Sequence, residues 1–213
     1  GHTRTADGVF WFYNKEHYYR YDPSLGSIER LDGIEQIVPT HQAGRFLGYR
    51  PGSNHEMIFS AHDQLWLWDH QTKQLRKLFE VSPYQPTLKR TADRMCQDQH
   101  QQLWFSFDGV GLLALHSQSL TKIAQLSAPS QLLSNNVFSC EIDAQGDVWF
   151  SSNAGLSRLQ PQTRKLDQFG KADGLASSQF VVGASTRLSS GLLLYGNNKG
   201  LTLFDPRLMQ AAQ

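Results

Sequence analysis

Residues 146–166 read GDVWFSSNAGLSRLQPQTRKL, and this stretch is the clearest copy of a pattern that recurs along the chain. A run of β-branched and aromatic residues comes before Asn153-Ala154-Gly155, and a second run with alternating apolar residues follows it. Such runs, bounded by Gly, Asn and Pro, indicate short β-strands joined by tight turns. The stretch therefore predicts a β-hairpin, and its pattern can be followed through the rest of the chain.

Five copies of this pattern follow one another at nearly constant spacing. Alignment on Phe150 brings in four further anchor residues, and successive anchors lie 47, 46, 45 and 45 residues apart. The five anchors are Phe12, Phe59, Phe105, Phe150 and Tyr195. The residue before the anchor is a tryptophan in three copies, as Trp11, Trp104 and Trp149. A period of about 45 residues with four short strands per copy is the signature of a β-propeller blade.

The predicted fold is all-β, with β-propeller blades of four antiparallel strands in about five repeats. In the fourth copy the strands are expected at residues 137–142, 148–151, 156–159 and 166–169. The first copy is expected to lack its opening strand and the fifth its closing strand. Five blades form either a small ring or part of a larger propeller, and we favour the larger propeller. Residues 1–2 are interpreted as an expression-tag remnant, 3–206 as blades and 207–213 as a tail.

Composition narrows the classes of function. The 213 residues include 20 basic and 19 acidic side chains, for a net charge of +1, and 39% of the residues are hydrophobic. This balance is typical of a globular domain and gives no electrostatic reason to expect nucleic acid or an anionic membrane as partner. The longest aliphatic run in the last repeat, residues 192–194, is far too short to cross a membrane.

The two cysteines, Cys96 and Cys140, are too few for a disulfide scaffold, and their spacing matches no zinc motif. Cys96 lies two residues before Asp98, whereas Cys140 lies three residues before Asp143, which occupies the same position of the repeat. The two side chains therefore differ by one residue in strand register and are expected on opposite faces. The sequence predicts two free, buried thiols.

Histidines and acids occur in positions that favour structural roles. The turn histidines are scattered and are expected to be solvated, so we predict neither a metal nor another cofactor. Asp98 and Asp143 share one position of the repeat, and Asp22, Asp69 and Asp205 share another. Recurrence at one position is expected of acids that cap turns, since a catalytic acid need occur only once. The sequence therefore predicts no catalytic residue.

Three segments carry a resemblance to a known family. Residues 174–180 (GLASSQF) and 191–206 (GLLLYGNNKGLTLFDP) resemble the last repeat of two-component-regulator propeller sensors, and residues 133–137 (LSNNV) with Asp143 and Gly146 resemble an internal repeat. The resemblance implies a sensor domain that lies ahead of a small β-sandwich, a membrane helix and a cytoplasmic kinase or diguanylate cyclase. Members with an assigned ligand tend to bind glycans, and no binding residue is carried over from them.

The resemblance implies a ligand-sensing input domain that is periplasmic, as the soluble part of an inner-membrane protein. Its membrane contact would run through segments outside this sequence, and the full-length sensor could form a homodimer. Two alternatives stay open: an enzyme resembling streptogramin lyases, whose repeats the stretch Asp7–Phe12 approaches, and a protein-interaction scaffold. A membrane helix and an output domain encoded after Gln213 would decide for the sensor.

A ligand is expected at one end of the blades. With four antiparallel strands per blade, the inter-blade loops and the second hairpin turn emerge at the same end. The longest loops, His41–Arg50 and Ser82–Arg90, belong to this end. Amide and guanidinium groups suit the hydroxyl groups of a small molecule or an oligosaccharide, because a hydroxyl group needs both donors and acceptors: an amide supplies both, and a guanidinium donates. The predicted ligand-binding residues are Arg45, Tyr49, His62, Arg90, Asp108, Asn136, Asn153, Gln179 and Asn197, with Asn135 and Asn198 beside them.

Overall fold

The computed structural model describes residues 2–14, 17–34, 45–61, 64–80, 92–107 and 109–210. The chain divides into two compact units, Gly1–Ala92 and Asp93–Gln213. The fold is all-β and of the β-propeller class, as predicted, since every sheet is a small antiparallel blade with its strands in chain order. Among the described residues, no helix has the length and apolar character needed to span a membrane.

The first unit contains two four-stranded blades. The strands of blade 1 are β1 (His2–Arg4), β2 (Phe10–Tyr13), β3 (Tyr18–Asp22) and β4 (Ser27–Arg30). Those of blade 2 are β5 (Arg45–Tyr49), β6 (Glu56–Ala61), β7 (Gln64–Asp69) and β8 (Gln74–Glu80). The expectation that the first copy lacks its opening strand is wrong, because the three residues of β1 pair with β2 and complete the blade.

The second unit contains blades 3, 4 and 5, and β9 begins at its boundary. The strands of blade 3 are β9 (Ala92–Gln97), β10 (Gln102–Phe107), β11 (Gly111–His116) and β12 (Lys122–Leu126). Those of blade 4 are β13 (Val137–Ile142), β14 (Val148–Ser152), β15 (Leu156–Leu159) and β16 (Leu166–Phe169). Those of blade 5 are β17 (Phe180–Arg187), β18 (Leu193–Asn197) and β19 (Gly200–Phe204).

The strands predicted for the fourth copy are confirmed to within one residue. As expected, blade 5 has no closing strand within the described residues. Short 3-10 helices occur at Lys171–Asp173, between blades 4 and 5, and at Pro206–Leu208, after β19. The local pattern of turn and strand residues therefore decides the positions of these elements.

The recurrent acids cap turns, as predicted. The Asp143 carboxylate accepts hydrogen bonds from the backbone N–H groups of Gln145 (2.9 Å) and Asp147 (3.0 Å). Its second oxygen accepts a hydrogen bond from the indole Nε1 of Trp149 at 2.8 Å. Asp98 makes the equivalent bond to Trp104 Nε1, also at 2.8 Å, in blade 3. Each acid thus ties the first hairpin turn of its blade to the buried tryptophan.

The acids at the third hairpin turn cap their own turns as well. The pKa of Asp69 is lowered to about 2. Partial burial opposes this shift, but hydrogen bonds from the backbone of Thr72, the side chain of His55 and the backbone of Gln71 outweigh it. The pKa of Asp22 and that of Asp205 are also lowered, chiefly by side-chain hydrogen bonds from Ser24 and Arg207 respectively. These carboxylates are therefore engaged as ions in the turns.

Glycine is required where the second hairpin turn meets the outermost strand. Gly155 has a φ of +142°, and a Cβ atom there would collide with the carbonyl oxygen of Phe169 on β16. Gly111 has a φ of +110°, and a Cβ atom there would collide with the carbonyl oxygen of Leu126 on β12. Any other residue would separate the third and fourth strands or strain the turn.

Adjacent blades within a unit pack through opposite faces. We call the face that carries Phe12, Phe59, Phe105, Phe150 or Tyr195 the anchor face, and the other one the tryptophan face. In the first unit, Trp11 and Tyr18 on the tryptophan face of blade 1 pack against Met57, Phe59 and Trp68 on the anchor face of blade 2. In the second unit, the tryptophan faces of blades 3 and 4 pack in the same way against the anchor faces of blades 4 and 5.

This packing corrects the prediction for the cysteines. Cys96 on β9 and Cys140 on β13 form a disulfide, with their Cα atoms 6.0 Å apart. The two side chains do lie on opposite faces of their own blades, as the register indicates. Because the tryptophan face of blade 3 meets the anchor face of blade 4, opposite faces are the arrangement that brings the two sulfur atoms together. The prediction of two free thiols is wrong.

Candidate functional site

Four amide side chains stand at one end of blades 4 and 5, which we call the amide site: Asn136, Asn153, Gln179 and Asn198. In blade 4, Val137 pairs with Ser152; Asn136 directly precedes Val137 and Asn153 directly follows Ser152, so the two amides are neighbours at this end of the blade. In blade 5, Phe180 pairs with Asn197, so Gln179 and Asn198 flank the equivalent position. The repeat therefore places an amide pair at the same point of two consecutive blades, where the inter-blade loop meets the second hairpin turn.

The amide pair of blade 5 is preorganised by hydrogen bonds. Asn198 donates through Nδ2 to Gln179 Oε1 at 2.8 Å, and the Ser177 hydroxyl donates to Asn198 Oδ1 at 2.6 Å. Ser177 Oγ in turn accepts a hydrogen bond from the Gln179 backbone N–H at 3.0 Å. Both Gln179 and Asn198 are exposed, so their orientation is held by this network and not by burial.

The amide pair of blade 4 has a less constrained setting. Asn153 is exposed at the tip of its turn, and Asn136 is half-buried, with its backbone N–H bonded to Ser134 Oγ at 3.0 Å. The adjacent Asn135 is engaged in the loop, because its Oδ1 accepts a hydrogen bond from the Ala128 backbone N–H at 2.6 Å. Among the described hydrogen bonds, the Asn135 side chain is thus tied to the loop, whereas the side chains of Asn136 and Asn153 are not.

Three other predicted residues occupy different settings. Arg45 is exposed at the first residue of β5, at the end of blade 2 that carries the second hairpin turn, as predicted. Tyr49 lies at the opposite end of that strand, where its hydroxyl accepts a 3.3 Å hydrogen bond from Trp11 Nε1, so its predicted placement is wrong.

Asn197 of blade 5 is buried. Its side chain donates to the Thr202 hydroxyl and accepts from the Lys199 backbone N–H, so it caps the β18–β19 turn. His62, Arg90, Asp108 and most of the two long loops lie outside the described residues.

A second polar cluster, which the sequence did not indicate, lies on the first strands of blades 3, 4 and 5. The Ser185 hydroxyl donates to Glu141 Oε1 at 2.7 Å. Arg94 Nη2 donates to the Ser185 carbonyl oxygen at 2.6 Å and lies 3.9 Å from Glu141 Oε1. Arg187 Nη1 donates to the carbonyl oxygen of Ile142 at 3.3 Å. The two arginines thereby bind backbone oxygens of first strands, which are the edge strands of their sheets.

Burial raises the pKa of the Glu141 carboxyl, while the Ser185 hydroxyl, Arg94 and Arg187 oppose the shift. Burial thus favours the protonated form of this carboxyl in the folded protein. Among the described residues, no group of three or more His, Cys, Asp or Glu side chains could hold a metal ion. The cluster joins the first strands of blades 3, 4 and 5, and its chemistry is that of ion pairing and hydrogen bonding.

The replacement Glu141→Gln tests this assignment. An acid whose folded-state pKa is raised loses stability as pH rises from its unfolded-state value, near 4.5, through the raised value. Glutamine keeps an oxygen for Ser185 and carries no charge to bury. We therefore expect Glu141→Gln to stabilise the protein at pH 7 to 8 and to have a smaller effect at pH 4, measured as the difference in thermal midpoint from the parent chain.

A matched control is Glu80→Gln, since the pKa of Glu80 is lowered by its side-chain hydrogen bonds with Lys77 and Gln64. This variant should show no gain of stability toward neutral pH. If Glu141→Gln destabilises the protein equally at all pH values, the pKa of Glu141 is not raised in the folded protein.

The successive four-stranded antiparallel sheets, with their capped turns, define the chain as a β-propeller domain. No family model matches the sequence. The extracellular domain of the proposed hybrid two-component system BT4673 of B. thetaiotaomicron shares the fold with a TM-score of 0.72 and 16% identity, over 98% of this chain and 30% of that one. Virginiamycin B lyase of Staphylococcus aureus has a TM-score of 0.63 and 13% identity, over 100% of this chain and 72% of that one.

A sequence relative is histidine kinase P4 of Formosa agariphila. It is 29% identical over 72 residues, which is 34% of this chain and 5% of that protein. The chain thus spans less than a third of the BT4673 domain and matches a small part of the kinase. These likenesses establish the fold that the chain shares with extracellular domains of two-component systems.

Proposed function

We propose that this chain is an extracytoplasmic, ligand-sensing input domain of a bacterial signal-transduction protein. The observation that carries the proposal is the blade fold shared with the extracellular domain of a two-component system over 98% of this chain. The sequence relative, a histidine kinase, supports the same class of protein. The repeat motifs of residues 133–149 and 174–206, which resemble those of two-component-regulator propellers, support it independently.

A periplasmic location is part of this proposal. Disulfides form and persist in oxidising compartments and are rare in the bacterial cytoplasm. The Cys96–Cys140 bond, which links two consecutive blades, therefore supports a domain that folds outside the cytoplasm.

Binding rather than catalysis is proposed for the domain. The recurrent acids that would be considered for general acid or base chemistry, Asp98 and Asp143, are buried and hold a turn and a tryptophan. The lyase of Staphylococcus aureus shares the fold at 13% identity, which supports no catalytic assignment here. We therefore propose that the domain acts by binding a ligand at the amide site.

The ligand class proposed for the amide site is an oligosaccharide or a similar hydroxyl-rich molecule. Each carboxamide offers both a donor and an acceptor, and a sugar hydroxyl requires both. Two amide pairs at equivalent positions of blades 4 and 5 suit successive units of a chain-like ligand. The bonds among Ser177, Gln179 and Asn198 reduce the conformational entropy that this part of the site loses on binding.

The proposal is tested by calorimetry with a panel of gluco-, xylo- and uronic-acid oligosaccharides. For an oligosaccharide that binds, the variant Asn136→Ala/Asn153→Ala/Gln179→Ala should bind at least about tenfold more weakly, since each hydrogen bond contributes about 0.5–1.5 kcal/mol. The thermal midpoint should change little, because Asn153 and Gln179 are exposed and Asn136 is only half-buried.

The control is Gln118→Ala/Gln145→Ala, which removes two exposed amides from hairpin turns at the other end of blades 3 and 4. It should bind as the parent does. Unchanged affinity of the triple variant would exclude the amide site, and failure of every oligosaccharide to bind would count against this ligand class.

A further inference from the structure

The first strand of blade 5 departs from the repeat directly beside the amide site. Between the paired positions Phe180 and Ser185, β17 has four residues where the facing strand β18 has only Gly196. In blades 2 and 4, the first strand has a bulge with a single extra residue. Blade 5 therefore carries an enlarged form of a bulge that the repeat also uses elsewhere.

The residue after the anchor accounts for the difference between the blades. In blades 3 and 4 this residue is a completely buried serine, Ser106 or Ser151, whose hydroxyl bonds the first strand of its own blade. Blade 5 has Gly196 at this position, and a Cβ atom there would lie 2.8 Å from the Cβ atom of Ala184. The glycine thus leaves room for the enlarged bulge and removes the hydroxyl that holds the strand in the other two blades.

The bulge exposes two consecutive valines. Val181 is 47% exposed and Val182 is 44% exposed. In the corresponding strand of blade 4, Val137–Ile142, none of the six residues is exposed. Bulges redirect side chains and are over-represented beside functional sites, so an exposed aliphatic pair at this point indicates a binding surface.

The two valines adjoin the amide pair of blade 5. Val181 follows Gln179 by two residues, so their Cα atoms are at most about 7 Å apart. Phe180, which lies between them, is buried with its ring centroid 6.1 Å from that of Tyr195, and this contact fixes the start of the strand. An aliphatic pair and a preorganised carboxamide pair therefore occur within one short stretch of blade 5.

We propose that Val181 and Val182 form an apolar subsite of the amide site, and that the ligand carries a methyl group beside its hydroxyl groups, as a 6-deoxy sugar does. The amides bind the hydroxyl groups, and the methyl group packs against the valines. A hydroxymethyl group in its place would set a hydroxyl against carbon atoms that offer no hydrogen bond, which is unfavourable. This inference rests on the proposed function, because it names the ligand class of the same site.

Two pairs of sugars test the inference, since the members of each pair differ only in a methyl or a hydroxymethyl group: L-fucose with L-galactose, and L-rhamnose with L-mannose. Each sugar is titrated into protein labelled at the valine methyl groups and the side-chain amides, and NMR follows both. At least one 6-deoxy sugar should bind about fourfold more tightly than its partner, the factor expected for burial of one methyl group. The signals of Val181, Val182, Gln179 and Asn198 should shift in the same titration.

The variant Val181→Thr/Val182→Thr keeps the shape of both side chains and replaces one methyl group of each by a hydroxyl. It should lose the preference for the 6-deoxy sugar and keep the affinity for the matched hexose. Leu188→Thr is the control, because Leu188 is 36% exposed and directly follows β17 at its other end. This control should retain the preference, and circular dichroism verifies that each variant is folded.

Equal affinities within both pairs, titration shifts confined to the amides, or an unchanged preference in the valine variant would each overturn the inference and leave the amide site as a sugar site. Absence of binding by all four sugars would also overturn it. The oligosaccharide panel then decides separately whether the proposed function holds.

Discussion

Removal of the Cys96–Cys140 disulfide is expected to lower the free energy of unfolding by about 4 kcal/mol. The bond closes a loop of 44 residues, and most of its effect comes from the conformational entropy that the cross-link removes from the unfolded chain. It also joins β9 to β13 at the interface of blades 3 and 4, where Trp104 and Phe150 are buried. Urea unfolding of the parent chain and of Cys96→Ser/Cys140→Ser, followed by tryptophan fluorescence, measures the difference.

The double variant also serves as the control for reduction. Dithiothreitol should shift the unfolding midpoint of the parent chain toward that of the variant and should leave the variant unchanged. Mass spectrometry of the alkylated, non-reduced parent should show no free thiol. Two reactive thiols, or equal midpoints for the two chains, would contradict the presence of a stabilising bond.

Asp143→Ala is expected to cost about 3–5 kcal/mol, the upper range for single substitutions. The change removes hydrogen bonds to two backbone N–H groups and to the indole of Trp149, which is completely buried. Hydrogen bonds to a charged group contribute more than neutral ones, and a buried donor left without an acceptor loses its solvation as well. Denaturant unfolding gives the magnitude, and the thermal midpoint should fall with it.

Asp205→Ala is the matched control for this prediction. Asp205 also caps a turn, through the Arg207 backbone N–H, but it holds no buried tryptophan. Its replacement should cost far less than that of Asp143, because exposed caps and surface ion pairs contribute little to stability. Similar losses for the two variants would show that turn capping alone, without the indole bond, accounts for the role of Asp143.

The anchor spacing and the turn residues were sufficient to predict the blades. Strand boundaries in blade 4 agree with the prediction because they depend on local features: alternating residues, and a turn that needs Gly or Asp. The capping role of Asp143 followed from its recurrence, since a turn is made by residues close in sequence. Its bond to Trp149 could also have been anticipated, because Asp98 and Trp104 recur at the same separation.

The candidate site could be predicted in part. Asn136, Asn153 and Gln179 lie at the expected end, because antiparallel order alone determines which turns share an end. Tyr49 was misplaced because a strand of five residues carries its last side chain to the opposite end of the blade. The Glu141 cluster gave no sequence signal, since its members come from three different first strands.

The sequence by itself thus determined the repeat, the strands, the turn chemistry and the end of each blade at which loops occur. Only the tertiary structure decided which faces meet, and with them the Cys96–Cys140 bond and the Glu141–Ser185 contact. The physical reason is that register assigns a side chain to a face of its own sheet. Whether that face meets another blade or solvent depends on how separate sheets pack, and residues far apart in sequence determine this packing.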